Sequence, residues 1–136
     1  MRNSRYKLIQ NLLPGRVNPG YAFTLNRFFS KLQQTIDAAP RQVREAYRTM
    51  ETPPEYELYD LKNDPFEFKN LVDDAEHAVA FAELKEQLAS WRESTKDPLL
   101  DAQNLKMLQE EVAGCFKDGK PEKSRLRLNY AEYFFD

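Results

Sequence analysis

Residues 56–71, "YELYDLKNDPFEFKNL", restrict this chain more than any other stretch. Tyr56 to Leu61 alternate so that Tyr56 and Leu58 share one side and Tyr59 and Leu61 the other, the period-two pattern of a strand. Lys62-Asn63-Asp64-Pro65 then breaks it, because Pro65 has no N–H to continue a ladder. Asp64, just before it, reads as a turn-former whose side chain bonds nearby backbone amides. Phe66-Glu67-Phe68 follows, and Asn70-Leu71 leads towards a helix. A chain built around this stretch needs a sheet for the strand and a cover for the sheet.

That cover is predicted next. From about Asp74 to Ser94, Ala78, Phe81, Leu84, Leu88 and Trp91 recur at alternating steps of three and four, an amphipathic helix with one packing stripe. Asp73 with Glu76 three residues on has the form of a capping box, its carboxylates suited to the positive helix end. A second strand is expected upstream, in "RYKLIQNLL" (residues 5–13), with Tyr6 and Leu8 on one face. "PGRVNPG" (14–20) reads as a loop of successive turns. Helical spacing puts Leu25, Phe28, Phe29, Leu32 and Ile36 on one face. Pro40 fits the first turn of another helix with Val43, Tyr47 and Met50 as its apolar side. A helix from about Ala102 to Ala113 is expected to end at Gly114 in a left-handed cap. The terminal "NYAEYFFD" is rich enough in aromatics to dock. Strands separated by helices and loops make the fold class α+β: a small antiparallel sheet, a long packed amphipathic helix and additional short helices.

The 136 residues suit one domain or part of a larger one. A net charge of −2 is not the basic footprint of a nucleic-acid binder, and no run approaches a membrane span, so neither partner is expected. A charged fraction of 31% with a mean hydropathy of −0.76 is polar for a small domain and leaves room for partner-covered surface. No apolar run of signal-peptide length follows the basic start. Cys115 is the single cysteine, which rules out an internal disulfide and a multi-cysteine metal site.

The residue types that carry chemistry do not assemble into a site. The only histidine, His77, has no second histidine or cysteine at ligand spacing and reads as part of a solvated face. Cys115 lacks a histidine to activate it and reads as an incidental thiol. Asp60, Asp64, Glu67, Asp73 and Asp74 do not follow the spacing of a calcium loop. The four glycines are scattered, so no phosphate cradle forms. On the turn-rich loop, Arg16, Asn18 and Tyr21 offer a guanidinium, an amide and a phenol that can contact an anionic or sugar ligand, the plainer reading being an exposed polar loop.

Three motifs in order carry a family resemblance: "SRYKLIQNLLPG" (4–15), "ELYDLKNDPFEFKNL" (57–71) and "LKEQLASWRESTKDPLL" (84–100). Together they resemble the carboxyl-terminal region of sulfatases, closest to the heparan N-sulfatase (N-sulphoglucosamine sulphohydrolase) group and related carbohydrate sulfatases. The resemblance covers residues 4–100. It implies a subdomain at 1–100, with 101–136 an unassigned helical extension and tail. It also implies a four-stranded antiparallel sheet with a packed helix, standing beside a large α/β catalytic domain.

The chemistry the resemblance implies is hydrolysis of sulfate esters or N-sulfates by a formylglycine hydrate, with calcium polarising the sulfate oxygens. The formylglycine arises within Cys/Ser-x-Pro-x-Arg. This chain departs from that, since Phe116-Lys117-Asp118 follow Cys115. No catalytic or metal residue is therefore carried over, and no cofactor is expected in this chain. The implied partner is a sulfatase catalytic domain, in cis or as a separate chain, with a sulfated glycan as possible ligand. Arg16, Asn18 and Tyr21 are the expected substrate-facing residues. The parent enzyme would be secreted, periplasmic or lysosomal. A different class of function, a stand-alone structural or sulfated-glycan-binding module derived from a sulfatase, is the alternative.

Overall fold

The computed structural model describes residues 1–22, 31–118 and 120–122. Leu25, Phe28, Phe29 and the terminal "NYAEYFFD" lie outside the described residues. In chain order the elements are β1 (Tyr6–Gln10), a helical turn at 19–22, α1 (Leu32–Ala38), α2 (Arg41–Glu51) and β2 (Tyr56–Asp60). After these come a 3-10 turn (Ala75–His77), α3 (Ala78–Ser94), a second 3-10 turn (Pro98–Leu100), α4 (Ala102–Gly114), β3 (Phe116–Lys117) and β4 (Lys120–Pro121). The molecule is α+β, as its alternating periods predict.

β1 and β2 pair antiparallel in a register that sets Leu8 opposite Leu58 and Gln10 opposite Tyr56. Side chains directly across an antiparallel pair share a face, so Tyr6, Leu8, Tyr56 and Leu58 line one side of the ribbon. That side packs on Leu71 and Leu84, with Val72, Phe81 and Leu88 around them. Leu8, Leu58 and Leu84 are almost wholly buried, each worth about 1.5–3 kcal/mol of transfer free energy. The Phe81 ring meets Tyr56 edge-on at 5.5 Å between centroids. An isolated two-stranded ribbon is marginal in water; here the helix supplies the missing layer.

The opposite side of β2 is buried too. Glu57 and Tyr59 border a cavity of about 350 Å³ that they share with Ala46, Thr49 and Met50 of α2 and with Phe66. The buried Glu57 carboxylate has both oxygens satisfied, one by Tyr59 Oη and the other by Asn11 Nδ2 at 2.7 Å. Burial, then that hydrogen bond to Glu57, push the Tyr59 phenol far above its ordinary range.

The turn after β2 is held by Asp60 and Asp64. Asp64 accepts the Lys69 N–H at 2.8 Å, the local bonding its position before Pro65 predicts. Glu67 takes a left-handed backbone (φ 58°) and meets Lys7 of β1 at 2.6 Å.

Several expectations need correction. The cap before α3 is Asp74, not Asp73: its carboxylate accepts the Glu76 N–H at 3.1 Å, and the chain makes a 3-10 turn before the α-helix begins. Pro40 occupies the cap position of α2 rather than its first turn. Met50 is 56% exposed. Gly114 does not adopt the left-handed conformation, because α4 runs on into a right-handed Cys115. His77 is half-buried rather than solvated, its Nδ1 3.1 Å from Tyr6 Oη.

The stripe of α3 fails at both ends: Ala78 is exposed and Trp91 is 54% exposed, whereas Arg92 is buried. Seventeen helical residues span about 25 Å, and a five-residue strand only about 17 Å. The helix is longer than the strand it covers, and at its end Arg92, bonded to Gln10 of β1, turns towards the sheet in place of Trp91. The resemblance implied four strands in that sheet; among the described residues it has two, and β3 and β4 form a separate ribbon.

Candidate functional site

The loop after β1 is built on backbone bonds to the end of α2. Gly15, at φ 69°, donates its N–H to Pro53 O at 2.8 Å, and Asn18 donates its own to Glu51 O at 2.8 Å. A positive φ suits glycine, which has no Cβ to clash. The Asn18 side chain turns inward on its own segment: Oδ1 accepts from Gly20 N (2.9 Å) and Tyr21 N (3.2 Å), capping the helical turn at 19–22. Its carbonyl oxygen is therefore engaged in architecture.

Arg16 is exposed and its Nη1 lies 3.5 Å from Gln109 O, in the middle of α4. Arg16 and Asn18 line one cavity of about 260 Å³ with Leu13, Val17, Pro53 and Val112. Tyr21 is not part of that lining. Its ring packs on Tyr47 of α2 at 6.3 Å, and burial, followed by the charge of Glu51, raises its phenol pKa. The structure thus brings Arg16 and Asn18 together and sends Tyr21 to the neighbouring helix.

A larger groove, about 500 Å³, runs along β1 and the end of α3, bounded by Arg2, Lys7, Gln10, Leu88, Trp91 and Arg92. Arg92 is its fixed point. Nε donates to Asp97 Oδ2 at 2.7 Å and Nη1 to Gln10 Oε1 at 3.0 Å. Gln10 Nε2 in turn donates to Tyr56 Oη at 3.0 Å. The Thr95-Lys96-Asp97-Pro98 step produces this geometry. Lys96 takes a left-handed φ of 53° and Asp97 N–H bonds back to Arg92 O, returning the carboxylate to the helix it has just left. Although burial works in the other direction, hydrogen bonds from Arg92 and Leu99 keep the Asp97 pKa below its ordinary value. Sequence reasoning missed Arg92 and Gln10. The available signal was an arginine five residues before an aspartate across a helix end.

At the other end of the sheet, Asp60 Oδ2 accepts from Arg5 Nε (3.0 Å), Arg5 Nη2 (2.7 Å) and Asn63 Nδ2 (2.8 Å), while Oδ1 accepts Lys62 N–H at 3.1 Å. The Arg5 hydrogen bonds above all lower its pKa to about 2. Carboxylates so committed are turn anchors rather than proton carriers.

Neither group that the resemblance implies fits these residues. Asp74, Glu76 and His77 bring ligand atoms within 4.8 Å of one another. Yet Asp74 already caps a backbone N–H and lies 3.6 Å from Lys69 Nζ, and His77 Nδ1 is engaged with Tyr6. Cys115 is completely buried, its thiol donating to Glu111 O at 3.3 Å. Burial, then the Glu111 charge, raise its pKa, so it is poorly suited to become or replace a nucleophile. Among the described residues no helix is long and apolar enough to cross a membrane.

The family described as N-sulphoglucosamine sulphohydrolase, C-terminal, matches residues 27–94, from before α1 to the last residue of α3. No curated protein and no solved structure matches. The matched half holds β2, its Asp64-Pro65 turn, the Asn70 junction and α3, which supply Leu58, Leu71 and Leu84 of the core, while Leu8 of β1 lies outside it. The chain belongs to the N-sulphoglucosamine sulphohydrolase C-terminal family.

Proposed function

We propose that this chain is the carboxyl-terminal subdomain of a carbohydrate sulfatase. In this reading it stands against a catalytic domain, completes that domain's packing and helps wall the substrate pocket, without catalysing alone. The observation that carries the reading is the family match over β2 and α3, in a chain whose Glu57, Asp60 and Asp97 carboxylates and Cys115 thiol are committed to structure. Hydrolysis of a sulfate ester or N-sulfate needs an activated nucleophile and a charge-stabilising cation. Both would come from the partner, which would hold the formylglycine and the calcium. The cavity beside Arg16 and Asn18 is the substrate-facing part in this proposal, Arg16 offering an exposed guanidinium to a sulfated sugar. Tyr21 would support that loop from behind through Tyr47.

The test is turnover of N-sulphated and O-sulphated glucosamine saccharides in the presence of calcium. The purified chain alone should give none. Mixed with a family catalytic domain that lacks this region, it should form a 1:1 complex and raise turnover. Hydrolysis by the chain alone would overturn the proposal, as would a catalytic domain that ignores it.

A further inference from the structure

The two faces of the β1–β2 ribbon are finished differently. On one, Leu8 and Leu58 pack against Leu71 and Leu84 and are almost wholly buried. On the other, Glu57 and Tyr59 stand across from Ile9 and Lys7. Between this face, Thr49 and Met50 of α2 and the Phe66-Glu67 turn lies the cavity of about 350 Å³.

Glu57 lacks a counter-charge there. It is only 8% exposed, and its two hydrogen bonds come from neutral donors, Tyr59 Oη and Asn11 Nδ2. No ion pair reaches it among the described residues. Lys7, the cation on the same face, is held by Glu67 at 2.6 Å. A buried carboxylate is costly unless a cation balances it. Hydrogen-bonding capacity is equally lopsided. Each carboxylate oxygen has room for two donors, and each of Glu57 receives one. Asn11 spends both amide hydrogens, on Glu57 Oε1 and Pro54 O, and its Oδ1 stays open to solvent. Glu67 adds a second carboxylate, and no basic side chain lines the cavity among the described residues.

The rim is apolar. Phe66 is 76% exposed, although its ring rests on Phe68 at 5.8 Å between centroids, and Met50 is 56% exposed on the α2 side. Apolar groups left in water around a pocket mark protein interaction sites.

We propose that the sulfatase catalytic domain docks on this face, inserting an arginine whose guanidinium pairs with Glu57 while the surrounding surface covers Phe66 and Met50. The proposal rests on the preceding functional reading and gives the partner its contact surface. Arginine fits better than lysine. Its planar fork of five donors suits the open acceptors of Glu57 and Asn11, and its flat face suits the Phe66 ring. A desolvated charged anchor inside an apolar surround is the layout of a binding hot spot, where arginine is enriched. A small cation would leave Phe66 and Met50 in water, so the rim favours a protein.

Calorimetric binding of the full chain to a separately produced family catalytic domain tests the proposal, beside urea unfolding of the chain alone. Glu57→Gln keeps the shape and removes the charge. The variant should unfold at the same urea concentration as wild type or higher, yet bind about a hundredfold more weakly. Phe66→Ala should weaken binding about tenfold. Val79→Ala, at a similarly exposed position on α3, should leave it unchanged. Phe66 is exposed, so its variant reads the surface independently of folding. Wild-type affinity in both the Glu57 and Phe66 variants would overturn the docking surface while leaving the functional reading intact. A loss confined to Phe66→Ala would overturn the guanidinium pairing. Saturable binding of glucosamine by the chain alone, abolished by Glu57→Gln, would assign the cavity to a small ammonium ligand instead. Failure to form any complex would overturn both readings.

Discussion

The Asn70 side chain accepts the Leu58 N–H at 2.9 Å and so stands where the main chain of a third strand would be. The same amide donates to Tyr56 O at 3.1 Å, and its oxygen also accepts Val72 N–H at 3.2 Å. One side chain closes the β2 edge and starts the approach to α3. Asn70→Ala leaves the buried Leu58 N–H without an acceptor and should cost about 1–3 kcal/mol in urea unfolding. Asn70→Asp keeps the acceptor, loses the donor and should fall between wild type and alanine.

Leu84 is the most deeply buried apolar residue of α3, clustered with Leu8, Leu58 and Leu71. Leu84→Ala should destabilise by about 2–5 kcal/mol, whereas Leu100→Ala, at a half-exposed position, should stay within about 0.5 kcal/mol. Equal effects in paired urea titrations would show that the core is not where the structure places it.

Asp60 sets an acid limit. Its pKa falls from an ordinary 3.8 to about 2 in the folded chain. A depressed carboxylate pKa contributes stability that is fully present above the unfolded value and lost as pH falls through the folded one. Melting temperature should therefore drop between about pH 4 and pH 2. Asp60→Asn should flatten that part of the curve while lowering the melting temperature at pH 7. An unchanged acid limb in the variant would show that Arg5 and Asn63 do not hold the carboxylate.

Cys115 should resist alkylation. Its thiol is fully buried against Glu111 O and its pKa is raised, so iodoacetamide at pH 8 should label it only in denaturant. Rapid labelling of the native chain would contradict the packing around α4.

Much of this architecture was legible because local chemistry and tertiary position agree. The alternation of Tyr56–Leu61 had to be a strand, Asp64-Pro65 had to turn, and Leu84 fell at the centre of a helical stripe whatever it packed on. What was not legible depends on lengths and neighbours. Trp91 is half exposed while Arg92 is buried, because Asp97 and Gln10 hold the guanidinium, and nothing in a periodic pattern records those partners. Glu57 is buried because Asn11 and Tyr59 satisfy it from different distances along the chain. The loop of Arg16 and Asn18 was recognisable as a turn-rich connection. That Asn18 caps its own helical turn while Tyr21 faces α2 required the backbone path.

The central claim, that this chain completes a catalytic domain, is tested most directly by thermal unfolding of a mixture. A partner that binds only the folded form raises its melting temperature by mass action. Equimolar chain and family catalytic domain should melt in one cooperative transition, above that of either component and rising with concentration. Two transitions at the temperatures of the separate components would contradict the account.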